Sequence, residues 1–111
     1  MPETARRPRD LPRHEVPAID EAALTAAHHA DRLLAAATDL GLVRWSRFLE
    51  PLPDRLRDDG PRALRTTALR SRAAYGPNDS IRDSLPAELT EPFLEAIDRL
   101  LKALARHDAN A

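Results

Sequence analysis

The side chains of this chain that could do chemistry are four histidines, four serines, a few close carboxylate pairs and sixteen arginines. His28 and His29 are adjacent, so on a helix they point about 100° apart and cannot close on one metal ion, which needs ligands three or four residues apart. His28 shares a face with Glu21 and Asp31, but the Glu-x-x-His pair of carboxylate-bridged di-iron bundles occurs nowhere in the sequence. No metal site and no cofactor is expected. Ser46, Ser71, Ser80 and Ser84 lack a His–Asp arrangement that spacing would bring together. The three glycines fall at expected helix ends and not in a phosphate-binding loop. Asp58 and Asp59 read as helix-start charges in a turn. Asp79 and Asp83 share a face, yet Arg82 and solvent oppose the raised pKa of a catalytic acid. The expectation is a protein that is not an enzyme.

Arginine is the remaining lead, because charge is unevenly distributed. Residues 44–72 carry +4, residues 19–43 and 73–111 carry −3 each, and the whole chain carries −1. Arg62, Arg65 and Arg72 fall on one side of an expected helix, a candidate anion-contacting face for nucleic-acid phosphates. Arg44, Arg47, Arg55 and Arg57 precede it. Two observations favour a solvated, internally paired surface instead. Arginine outnumbers lysine sixteen to one throughout, and Asp54, Asp58 and Asp59 lie close enough to neutralise part of the patch. A helix-turn-helix does not fit, because about ten residues and two prolines separate helices that the motif joins by three or four.

Those residues must be positioned by a small fold. A chain of 111 residues forms one domain without room for a deep, water-excluding cleft. Aromatic residues are 4% of it, so Leu and Ala must build the core, which favours helices. A net charge of −1 provides no whole-molecule field for nucleic acid or anionic membrane. There is no cysteine for a disulfide, a thiolate nucleophile or a cysteine-bound zinc. No apolar run reaches the length of a membrane span, and the first residues carry Pro and Arg where a signal peptide needs an apolar stretch. No membrane partner and a cytoplasmic location are therefore expected.

Periodicity predicts an all-α fold: a small helical bundle of three main helices at about 20–40, 61–75 and 90–107, with short helices near 42–50 and 79–85. Residues 1–18 are expected to form a disordered Pro- and Arg-rich arm, dispensable for folding because it offers no apolar surface. Residues 19–108 form the domain and 109–111 a disordered tail. Asp20 is the expected cap of the first helix, with Ile19 stapled to Leu24. Ala22, Ala26, Ala27, Ala30, Leu33, Leu34, Ala36, Ala37 and Leu40 line one half of it, and Gly41 ends it. Leu42, Trp45, Phe48 and Leu49 face inward on the second helix, which Pro51 and Pro53 stop. The third main stretch has only a thin stripe of Leu64, Ala68, Ser71 and Tyr75. Asn78 caps a brief turn, and Thr90 caps the last helix. On that helix Leu94, Ile97, Leu101 and Leu104 recur at spacings of 3, 4 and 3, with Phe93 and Leu100 beside them.

A count of faces turns this into a functional expectation. The first and last helices carry wide apolar faces, and little remains in the chain to cover them. Leu33, Leu34, Leu94, Ile97, Leu101 and Leu104 are thus candidate core or interface residues. The expected function is a non-enzymatic protein–protein interaction module whose partner is a second copy of the chain, another protein, or both. The alternative is a nucleic-acid-binding accessory or regulatory protein that uses segment 44–72.

Overall fold

The computed structural model describes residues 11–109. These form five helices, α1 (Pro17–Asp39), α2 (Val43–Leu49), α3 (Leu52–Asp58), α4 (Pro61–Ala73) and α5 (Ala87–Ala109), with 3-10 turns at Arg13–Glu15 and Ile81–Asp83 and no strand. The fold is a small all-α bundle. α1 and α5 are its central pair, with α3 and α2 packed on α1 and α4 packed on α5. α4 and α5 run antiparallel: Arg65 meets Asp108, Arg72 meets Asp98, and the Tyr75 hydroxyl donates to the Thr90 carbonyl. α1 opposes α5 in the same sense, since Ala18 at its start shares a groove with Arg106 near the end of α5.

The core is made of small residues on α1 and larger ones on its neighbours. Ala22, Ala23, Ala26, Ala27, Ala30, Leu33 and Ala37 are buried on α1; Phe93, Ile97, Leu100 and Leu104 are buried on α5. Leu49, Leu52, Leu56, Leu64 and Ile81 complete it. Small side chains let helix axes approach closely, and the larger ones of the facing helices fill the space between.

α1 ends as its sequence predicts. Gly41 adopts a φ of 70°, its N–H bonds to the Thr38 carbonyl, and the Leu42 N–H reaches back to the Ala37 carbonyl. These are the two bonds of a Schellman motif, which needs a residue free to enter the left-handed region. The thin stripe of α4 is also where it was expected, with Leu64, Ala68, Ser71 and Tyr75 buried and Leu69 pointing outward.

Several boundaries differ from the sequence reading for identifiable reasons. α3 begins at Leu52, because Pro53 falls in its first turn, where a missing N–H costs no helical hydrogen bond. Leu49, Leu52 and Leu56 therefore continue one buried stripe across the proline break. α5 begins at Ala87, not at Thr90. The Pro86 carbonyl accepts from the N–H groups of Leu89 and Thr90, so a full turn precedes Pro92, which sits inside the helix. The 3-10 turn at 81–83 is capped by Ser80, whose hydroxyl accepts from the Arg82 N–H, in place of Asn78. Leu24 does not staple to Ile19: Ile19 is fully buried and Leu24 is 47% exposed.

The arm is corrected over residues 11–18. α1 starts at Pro17, with Val16 at the cap position and Asp20 already inside the first turn. Arg13 is 7% exposed. Its Nη1 donates to the carbonyls of Leu56 at 2.6 Å and Asp59 at 3.2 Å, and its Nε meets Asp20 Oδ1 at 2.7 Å. One guanidinium thus satisfies carbonyls at the end of α3 and ties them to the start of α1 through polar contacts and not through apolar surface. Its Nη2 is buried without a partner, which offsets part of the gain. At the other end Ala109 belongs to α5. The remainder of the expected arm and tail, 1–10 and 110–111, lies outside the described residues.

Arg13→Ala should destabilise the fold by about 2 kcal/mol, the scale of charge-assisted hydrogen bonds lost from a buried site. Removal of residues 1–17 should do at least as much. Thermal unfolding followed by circular dichroism checks both, and an unchanged midpoint would return residues 11–16 to a dispensable arm.

Candidate functional site

The structure places the six apolar candidates mainly in the core of the single chain. Leu33, Ile97 and Leu104 are buried, while Leu34, Leu94 and Leu101 are partly buried and packed against that core. The buried line on α5 runs through Thr90, Phe93, Ile97, Leu100 and Leu104. It is centred one residue away from Leu94 and Leu101, because α1 and α4 approach α5 together and both need its large side chains. The wide faces of α1 and α5 largely cover each other, so the count of faces that left them open does not hold.

Exposed apolar surface gathers at the corner between α1 and α2. Leu40 is 59% exposed and Val43 60%, on either side of Gly41. Next to them lies a shallow groove of about 270 Å³ lined by Leu34, Thr38, Gly41, Val43, Ser46, Arg47 and Glu50. By helical periodicity Leu40 belongs to the buried half of α1. The turn at Gly41 carries the chain away before any neighbour can cover it, and a helix-terminal apolar residue beside a glycine was the signal available. Leu24 and Leu69 are also exposed but belong to neither wall of this groove.

The arginine candidates are drawn into pairs between helices. Arg65 Nη1 lies 3.0 Å from Asp108 Oδ2, and Arg72 Nε 3.0 Å from Asp98 Oδ1, both linking α4 to α5. Asp98 thus turns to Arg72 and not to Lys102, four residues along its own helix. Arg62 and Arg65 flank a cleft with Pro61, Leu104 and Asp108. Arg57 pairs with Asp31 of α1, and Arg44 approaches Asp79. The arrangement holds helices in register and leaves less of the +4 segment directed at solvent anions.

Segment 75–86 is a strap. Burial, then the neighbouring Glu91 carboxylate, raise the Tyr75 hydroxyl well above its ordinary pKa, so it stays protonated as a donor to the Thr90 carbonyl. The Arg82 guanidinium lies 5.3 Å from the Tyr75 ring centre and makes two bonds to Glu91. The Glu91 carboxyl is held below its usual range by the bond from Arg82 and then that from Thr90. Trp45 Nε1 donates to Ser84 Oγ at 3.1 Å, fixing the strap to α2, and Asp79 takes a φ of 53° to make the turn.

A second groove, of about 650 Å³, runs between α1 and α5, with Ala18, Ala22, Thr25 and Ala103 among its small residues and Glu21, Glu95, Asp98, Arg99, Lys102 and Arg106 at its edges. The mixed charges set no preference for an anion or a cation. Among the described residues no group of three or more His, Cys, Asp or Glu side chains could hold a metal ion, and no helix is long and apolar enough to cross a membrane. No family model, curated protein or solved structure matches the chain.

His29 lies on the α1 face that approaches Glu95. Burial lowers its pKa most, followed by the positive charge of His28 and Arg32, with Glu95 opposing. Its folded pKa therefore lies below the ordinary value of about 6.5, and the unfolded chain binds the proton more readily. The stabilising contribution of neutral His29 is present above that value and is lost as pH falls through the folded pKa. Thermal midpoints measured from pH 8 to pH 5 should fall less steeply for His29→Gln than for the parent chain; identical slopes would show that His29 titrates alike in both states.

Proposed function

We propose that this chain is a non-enzymatic helical interaction module that associates with a second copy of itself. The observation that supports this reading is the exposed pair Leu40 and Val43 beside the Leu34 groove, in a chain whose other large apolar side chains are mostly packed inward. Single exposed apolar residues are ordinary on a protein surface, but Leu40 and Val43, close together, about 60% exposed and beside a groove, gain by being covered. A cytoplasmic location accords with this reading. The nucleic-acid alternative has less support, because Arg44, Arg57, Arg65 and Arg72 of the basic segment already face carboxylates.

Association through a peripheral corner leaves the core of each copy intact, so folding does not depend on it. Mass by light scattering or sedimentation at micromolar concentration should approach twice the 12.3 kDa of the chain. The thermal midpoint should rise modestly with concentration by mass action. A mass of 12.3 kDa throughout the accessible range, with a constant midpoint, would overturn self-association. Salt-dependent binding to duplex DNA or RNA would support the alternative in its place.

A further inference from the structure

The self-association reading leaves open which surface meets which, and the α1–α2 corner carries the features of a two-fold contact. Its apolar part is Leu34, Leu40 and Val43. At its centre Gly41 has no side chain, and a Cβ placed there would meet nothing within 4 Å, so the backbone is open to close approach from outside. Its polar edge is one cation and one anion, Arg47 and Glu50, three residues apart along α2 and the chain just after it, and both lining the groove. Neither has an ion-pair partner among the described residues, whereas Arg44 and Arg57 on either side do.

We propose, resting on that reading, that two copies join across a two-fold axis at this corner, with Leu34, Leu40 and Val43 of each packed on those of the other. A two-fold contact is self-complementary: if residue i of one copy meets j of the other, then j meets i. A rim of one positive and one negative residue satisfies this condition, because Arg47 of each copy is brought to Glu50 of the other. An acidic or a basic partner would match one of the two and oppose the other. A second copy is thus the occupant that the charge arrangement favours.

Sedimentation mass of the full chain tests this contact, with circular dichroism as the check on folding. The double variant Leu40→Glu with Val43→Glu should be a folded monomer, because both sites are exposed in the single chain. Arg47→Glu and Glu50→Arg should each raise the dissociation constant by about tenfold or more, since each sets like charges face to face. An equimolar mixture of these two variants should recover the parent affinity, because every cross-pair in the mixed dimer is again opposite in sign. The chain carrying both exchanges should recover it as well. Recovery is the decisive readout, as a merely misfolded variant gives none. A parent dimer that none of these substitutions weakens would place the contact elsewhere and overturn this proposal while leaving self-association standing. Loss in both single variants without recovery in the mixture would overturn the two-fold pairing. A parent chain that is monomeric throughout would overturn both the reading and this surface.

Discussion

The close approach of α1 and α5 is the constraint on which the other contacts depend. Six of the buried residues of α1 are alanines, each contributing little area, but together they leave room for Phe93, Ile97, Leu100 and Leu104 of α5 and for Leu52 and Leu56 of α3. Leucine-sized residues along α1 would hold these neighbours apart and demand more chain to seal the gap. With alanine, three short helices suffice: α2 and α3 pack on α1, α4 packs on α5, and α3 meets α4. The charged pairs at the surface are secondary in energy. Exposed ion pairs such as Arg65–Asp108 and Arg72–Asp98 contribute at most about 1 kcal/mol each, and their placement between α4 and the C-terminal half of α5 fixes register more than it adds stability.

This geometry explains what the sequence made legible and what it did not. Helical periodicity on α1, α4 and α5 is set by burial on one face, so the helices, the Gly41 ending and the stripe from Leu64 to Tyr75 could be read from spacing alone. The start of α5 could not. Thr90 is a good cap residue, but here it is buried within the helix with its carbonyl accepting from Tyr75, and tertiary contact outweighs local propensity. Arg13 escaped for a similar reason. Its partners are the carbonyls of Leu56 and Asp59, more than forty residues away, and carbonyl positions leave no mark in a sequence.

The candidate site was less legible than the fold. Spacing identifies which residues of a helix share a face, but it does not say whether that face meets another part of the same chain. Faces on α1 and α5 that look unpartnered in sequence partner each other. The surface that remains is at a chain reversal, where Leu40 closes the periodic run of α1 and Val43 opens the short α2. The basic segment followed the same course: its net charge is plain from composition, whereas its pairing with Asp31, Asp79, Asp98 and Asp108 depends on the positions of five helices and a loop.

If a single chain closes its own core around the α1–α5 pair, the alanine face cannot accept larger side chains. Chemical denaturation of Ala26→Leu, in a sample dilute enough to have the mass of one chain, tests this most directly because Ala26 is fully buried. The account predicts a loss of about 1–3 kcal/mol, the usual effect of overpacking a filled core. Unchanged or increased stability would contradict it, and would mean that the face of α1 is open in the single chain.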